Sequence, residues 1–86
     1  MAYNVVWHER ALSDLRSLER TMSRKIIERV KTHLSQKPEK FGKPLKGVLK
    51  GLYRYRFGDY RIVYTIDQTD IRISILYIGH RKDVYR

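Results

Sequence analysis

The chain has 86 residues, with 19 Lys and Arg against 9 Asp and Glu, a formal net charge of +10, and no cysteine. This length fits one small domain, which we place over residues 1–86. The lack of cysteine excludes disulfide bonds, thiolate catalysis and Cys-ligated zinc. No apolar run reaches the length of a membrane span and the start lacks a signal-peptide pattern, so we expect a cytoplasmic protein without membrane contact.

The positive charge is concentrated in the middle of the chain. Residues 37–66 hold eight Lys or Arg and two Asp or Glu, a net of +6. Residues 1–36 hold seven and four (+3), and residues 67–86 hold four and three (+1). Such an excess is typical of proteins that bind a polyanion such as RNA, DNA or an acidic protein, although it also fits a face that only keeps the protein soluble.

Hydrophobic periodicity predicts an alternation of strands and helices. In chain order we expect a strand at 3–7, a helix at 9–19, a helix ending near Gln36, a basic loop at 37–51, strands at 52–57 and 60–66, and a strand at 71–78. Thr21 or Ser23 is the expected N-cap of the second helix. The first helix has Asp14 among its polar residues, and the blurred alternation of the last strand suggests burial on both of its faces.

This order predicts an α+β fold. The arrangement is β-α-α-β-β-β, with a helical hairpin packed on one face of a small, mainly antiparallel sheet. The helices need that face to bury their two apolar stripes, and the opposite face of the sheet stays available.

Three arginines are predicted to share one face of the central hairpin. With Gly58 and Asp59 as a two-residue turn, Arg56 faces Arg61 and Arg54 lies on the same face. The other face then carries Tyr53, Tyr55, Ile62, Tyr64 and Ile66. Opposed like charges destabilise a sheet unless an anion neutralises them, and the guanidinium fork matches phosphate oxygens. Unrelated solvated charges are the structural alternative.

Two motifs resemble the RelE/ParE superfamily of type II toxins. The first is Leu-Tyr-Arg-Tyr-Arg-Phe-Gly-Asp-Tyr-Arg-Ile-Val-Tyr at residues 52–64, and the second is Gly-His-Arg-Lys-Asp-Val-Tyr at residues 79–85. Together with the element order, the resemblance covers nearly the whole chain. In the RelE-like branch it implies a ribosome-dependent endonuclease that cuts mRNA in the A site by attack of the ribose 2′-hydroxyl, without a metal or other cofactor.

The resemblance also implies roles for individual residues. Arg61 and Arg81 would hold the scissile phosphate and stabilise its developing charge. Tyr85 is the candidate base, because neighbouring guanidinium groups favour phenolate, and His80 is a candidate acid, because arginine does not readily donate a proton. The residues expected to bind substrate are Arg54, Arg56, Lys43, Lys46 and Lys50. No such role is expected for His8 and His33, which we place on the surface or on a helix face.

The implied partners are a cognate antitoxin, the ribosome with its mRNA, and operator DNA only through the antitoxin complex. Two alternatives stay open at this point. The ParE-like branch has the same fold but poisons gyrase and typically lacks the arginine and tyrosine cluster. A non-catalytic nucleic-acid-binding module would use arginine and tyrosine for phosphate contact and base stacking.

Overall fold

The computed structural model describes residues 2–80. Its main elements are β1 (Asn4–Trp7), α1 (Glu9–Ser17), α2 (Arg20–Thr32), α3 (Pro38–Phe41), β2 (Lys43–Pro44), β3 (Tyr53–Phe57), β4 (Tyr60–Asp67) and β5 (Arg72–His80). Single 3-10 turns cover Leu34–Gln36 and Gly47–Leu49. The expected α+β class is confirmed. Within this part of the chain, no helix has the length and apolar character needed to cross a membrane.

The five strands form one sheet in the order β1-β5-β4-β3-β2. Strand β1 runs parallel to β5, and all other neighbours are antiparallel. The expected hairpin register is confirmed, because Arg56 pairs with Arg61 across the turn. Gly58 has φ of 59°, the left-handed conformation that such a tight turn needs and that glycine adopts without steric cost.

The core lies between the helices and one face of the sheet. It joins apolar residues of α1 and α2 to inward-facing residues of β3, β4 and β5, as the amphipathic stripes require. Its buried members are Ala11, Leu15, Ile26, Val30, Leu34, Tyr55, Ile62, Tyr64, Ile73, Ile75 and Ile78. The sheet therefore has an inner face, covered by the helices, and an outer face turned away from them.

Both long helices end earlier than the periodicity predicts, and the expected caps were wrong. Helix α2 begins at Arg20, with Glu19 in the N-cap position and no side-chain capping hydrogen bond. Ser23 instead donates its hydroxyl hydrogen bond to the carbonyl oxygen of Leu15. That bond ties the first turns of α2 to α1, a tertiary use of serine that local capping rules do not predict.

The segment predicted as an irregular basic loop contains three short elements, which are α3, β2 and the 3-10 turn Gly47–Leu49. Pro38 occupies the first turn of α3, where its missing N–H costs no hydrogen bond. The buried Tyr64 hydroxyl donates to the carbonyl oxygen of Pro38 at 2.7 Å. This bond fixes α3 against the sheet, and Lys43 then pairs beside Arg54 of β3.

Burial on both faces of β5, expected from its blurred pattern, was wrong. The register with β4 shifts between Val63 and Tyr64, so β5 contains a bulge at Leu76. Its buried residues are accordingly spaced two and then three apart, at Ile73, Ile75 and Ile78. The bulge, rather than two-sided burial, breaks the alternation of apolar residues.

Candidate functional site

Three arginines lie on the outer face of the β3–β4 hairpin. Arg54 and Arg56 come from β3, and Arg61 comes from β4 directly opposite Arg56. Arg56 is exposed, whereas Arg54 and Arg61 are half-buried. The same alternation turns Tyr55 and Ile62 inward to the core, so the outer face of the hairpin carries the three arginines together with the buried Val63.

The three guanidinium groups have no counter-ion within residues 2–80. Within the same residues, Arg61 donates one long hydrogen bond, 3.4 Å, from Nη1 to the carbonyl oxygen of Tyr60. The salt bridges in this part of the chain join Arg72 to Asp67 at 3.3 Å and to Asp70 at 3.4 Å. Those pairs lie at the other end of the β4–β5 hairpin, so no carboxylate of residues 2–80 neutralises the three arginines.

Neighbouring strands extend this cationic face. Lys43 of β2 pairs with Arg54, which places a fourth cation in the same row of the sheet. On the opposite side, Arg61 pairs with Gly79 of β5. Because Gly79 has no side chain, the β5 partner of Arg61 adds no side chain to the outer face. Four cations on one face of the sheet form a surface suited to the oxygens of a phosphate.

The loop lysines are separated from this row. Lys46 and Lys50 line an open pocket of about 350 Å³ with Pro44, Leu45 and Tyr53, among others. Tyr53 alternates with Arg54 and therefore belongs to the other face of β3. The structure thus brings Lys43 to the arginines but places the other two lysines around a neighbouring pocket.

His80 ends β5 on the face opposite to the arginines. It pairs with Tyr60, and their ring centroids are 5.9 Å apart in an edge-to-face arrangement. Tyr60 and Arg61 are neighbours in β4, so their side chains point to opposite faces of the sheet. His80 therefore lies with Tyr60 on the inner face, and Arg61 lies on the outer face. The other expected catalytic residues, Arg81 and Tyr85, lie outside the described residues.

The sequence did not predict the environment of His33. Its Nδ1 lies 2.6 Å from the hydroxyl oxygen of Tyr55, which also accepts a hydrogen bond from Arg29 Nε at 2.9 Å. The Tyr55 hydroxyl is therefore bonded to both Arg29 and His33 at the end of α2. The imidazole also stacks on Phe41, with centroids 4.0 Å apart. His33 thus joins α2 to β3 and α3 on the inner face, whereas His8 is exposed before α1.

Comparisons with known proteins identify the family. The sequence model of the family described as "ParE toxin of type II toxin-antitoxin system, parDE" matches residues 5–85. The chain is 38% identical over 84 residues to toxin RelE of Mycobacterium tuberculosis, covering 98% of this chain and 87% of the relative. It is 36% identical over 86 residues to toxin RelG of the same organism, covering 100% and 99%.

A solved structure agrees with these relatives. The crystal structure of the toxin-antitoxin complex RelBE2 from Mycobacterium tuberculosis superposes with a TM-score of 0.90 at 34% identity, covering 96% of this chain and 95% of that chain. The protein therefore belongs to the ParE toxin family, within the RelE/ParE superfamily, and is the toxin of a type II toxin-antitoxin system.

Proposed function

We propose that this toxin is a cytoplasmic, ribosome-dependent endoribonuclease that cuts mRNA in the A site of the ribosome. The observation that carries the proposal is the outer face, where Arg54, Arg56 and Arg61 converge without a counter-ion among the described residues. A fold that only needed a solvated surface would not place two arginines directly opposite each other, because their repulsion destabilises the hairpin. The curated relatives named RelE and RelG support the same branch.

The proposed chemistry needs no metal. The 2′-oxygen of a ribose attacks the adjacent phosphorus and loses its proton to a base, while the bond from phosphorus to the 5′-oxygen breaks and that oxygen takes up a proton. The product ends are a 2′,3′-cyclic phosphate and a 5′-hydroxyl. Charge grows on the phosphate oxygens in the pentavalent transition state, and Arg54 and Arg61 supply fixed positive charge there.

The proton transfers require groups other than arginine, which stays charged at working pH. We assign the base to Tyr85 and keep Arg81 as a further phosphate ligand, because it directly follows the last described residue of β5 in the sequence. His80 is retained as the acid. His80 lies on the face opposite to Arg61. The RNA must therefore pass around the end of β5 for His80 to protonate the leaving 5′-oxygen.

We also propose a cognate antitoxin as the partner of this chain. The RelBE2 structure and the archaeal RelE–RelB structure from Pyrococcus horikoshii are both complexes of toxin with antitoxin. An acidic antitoxin segment laid over the outer face would neutralise the same arginines that bind mRNA, so inhibition and substrate binding would exclude each other. Operator DNA would then be contacted through the antitoxin.

The decisive experiment is primer extension on an mRNA in a translating extract, with the wild-type toxin and with Arg61→Ala. We expect codon-positioned breaks from the wild type and a loss of about 100-fold or more in cleavage rate for the variant, because one preorganised charge contact is removed. Arg24→Ala on the exposed side of α2 is the matched control and should cleave normally.

Three results would contradict the proposal. Unchanged cleavage by Arg61→Ala would show that the arginines of the outer face do not take part in the reaction. Blocked DNA supercoiling by gyrase, without mRNA breaks, would assign the protein to the gyrase-poisoning branch, which the match to the ParE family model keeps in view. Salt-sensitive RNA binding without cleavage on translating ribosomes would identify a non-catalytic binding module.

A further inference from the structure

The outer face continues beyond the arginines to an aromatic residue, Tyr77. Tyr77 of β5 pairs with Val63 of β4, which in turn pairs with Arg54 of β3. Partners in adjacent antiparallel strands share a face, so Tyr77 lies two strands from Arg54 on the same surface, about 10 Å away along the sheet. It is half-exposed and does not pack against the core.

Tyr77 is covered by a cation from α1. The guanidinium carbon of Arg10 lies 4.4 Å from the centroid of the Tyr77 ring, well inside the range of a cation–π contact. Arg10 is exposed and forms no salt bridge within residues 2–80. The pair therefore presents a phenol ring and a guanidinium group at the surface, with the positive charge of Arg10 not neutralised by a carboxylate.

The position of Arg10 is fixed by the helix that carries it. Strand β1 ends at Trp7, opposite Ile75, so within residues 2–80 no strand pairs with the rest of β5 on that side. Asp14 replaces the missing strand by accepting a hydrogen bond from the Ile78 N–H at Oδ2, 2.8 Å away. Arg10 is one helical turn before Asp14 and is thereby held beside Tyr77. The pair is preorganised rather than assembled by a ligand.

We propose that Arg10 and Tyr77 form a nucleobase-binding site. A base of single-stranded RNA stacks on this pair while the phosphates beside it contact Arg54 and Arg61. Aromatic rings and guanidinium planes are the two protein surfaces on which unpaired bases stack, and stacking tolerates every base. The site would therefore hold and orient the RNA rather than select its sequence. The inference rests on the proposed function, which makes mRNA the ligand.

The test is equilibrium binding of a short RNA that carries one 2-aminopurine, whose fluorescence is quenched when the base stacks. Tyr77→Leu keeps an apolar side chain but removes the aromatic face. We expect it to bind at least about fivefold more weakly, the lower end of the effect of losing one stacked base, and to lose the quench. Tyr77→Trp should keep both. Tyr3→Leu makes the same change just before β1, at a tyrosine that packs against the core on the inner face, and as the matched control it should behave as the wild type.

A purely structural role for the pair predicts a different result. If Arg10 and Tyr77 only anchor α1 to β5, Tyr77→Leu would unfold at a lower urea concentration but bind and quench normally where it is folded, which would overturn the site. An absence of RNA binding by the wild type would overturn it as well. Should Tyr77→Leu not fold, Arg10→Met on the exposed side of α1 tests the same stack, and unchanged affinity and quench there would be equally contradictory.

The binding assay is independent of cleavage, so the two proposals fail separately. A quench that depends on Tyr77, together with intact mRNA on translating ribosomes, would leave the base site standing and remove the nuclease function. Codon-positioned cleavage, together with a fluorescence quench that is the same in Tyr77→Leu and the wild type, would support the nuclease function and overturn the base site.

Discussion

At the scale of single residues, Gly42 is required by a contact rather than by its backbone conformation. Its φ of −98° is accessible to any residue. A Cβ at this position, however, would overlap the hydroxyl group of Tyr64 and would lie 3.0 Å from the carbonyl oxygen of Arg54. Because that hydroxyl is buried and bonded to Pro38, it has no space into which to retreat. Gly42 therefore lets α3 approach the sheet closely.

We predict that Gly42→Ala lowers the free energy of unfolding by about 1–3 kcal/mol through overpacking. Urea denaturation measures the change. Part of the clash is with the tyrosine oxygen, so the same substitution in a Tyr64→Phe background should cost less, giving a non-zero coupling energy between the two sites. Equal costs in both backgrounds would show that the hydroxyl is not what excludes the methyl group.

Residue placement on the central hairpin was predictable from sequence, whereas the surroundings of His33 were not. A two-residue turn at Gly58 and Asp59 fixes the pairing of β3 with β4. Strand alternation then places Arg54, Arg56 and Arg61 on one face, as the structure confirms. The bond between His33 and Tyr55 joins residues 22 apart in sequence, and no local pattern reports such a contact.

At the scale of elements, Asp14 connects a helix to a strand edge. The helical pattern groups it with polar surface residues, yet its carboxylate accepts the backbone N–H of Ile78, which β1 is too short to reach. An unpaired N–H at a sheet edge needs a partner or exposure to water. Asp14 meets that need and sets the position of α1 against β5.

We predict that Asp14→Ala destabilises the protein by about 1–3 kcal/mol, because it leaves the Ile78 N–H without its acceptor. Asp14→Asn keeps a carbonyl oxygen at the same place and should recover most of the loss. Amide hydrogen exchange at Ile78 gives a local readout and should accelerate in the alanine variant more than in the asparagine variant. Identical exchange in the two variants would argue against the hydrogen bond as the cause.

The elements missed by the sequence were short or irregular. Helix α3 has four residues and β2 has two, too few for a hydrophobic period to be recognised. The bulge at Leu76 shifts alternation within β5 and imitates two-sided burial. Long, regularly patterned elements were found, and their ends moved by a few residues because tertiary contacts, such as that of Ser23 with Leu15, decide where helices stop.

At the scale of the whole molecule, the buried Tyr64 links stability to alkaline pH. Burial raises the pKa of Tyr64 above its ordinary value of about 10, and nearby Tyr53, Glu39 and Tyr55 raise this pKa further. The folded chain keeps the proton at pH values where the unfolded chain has lost it. The free energy of unfolding contributed by this group is therefore complete below pH 10 and decreases as the pH rises above it.

Comparison with Tyr64→Phe isolates this effect from other titrating groups. The difference in unfolding free energy between wild type and variant should be constant from pH 7 to 9. It should then shift by about 1 kcal/mol against the wild type between pH 10 and 11. Urea titrations at each pH provide the values. A difference that stays constant up to pH 11 would show that Tyr64 ionises as readily in the folded chain as in the unfolded one.

The net charge of +10 acts through a defined surface if the outer face is the RNA-binding face. Each phosphate contact releases counter-ions, so the logarithm of affinity falls with the logarithm of salt concentration by about 0.7 per contact for a single strand. Arg56→Gln should therefore reduce that slope by about 0.7 when binding of a short RNA is measured across a salt series. Arg24→Gln makes the same chemical change on the exposed side of α2 and should leave the slope unaltered. Equal reductions in both variants would mean that RNA affinity depends on the total charge of the protein. The outer face would then not be the specific phosphate-binding surface.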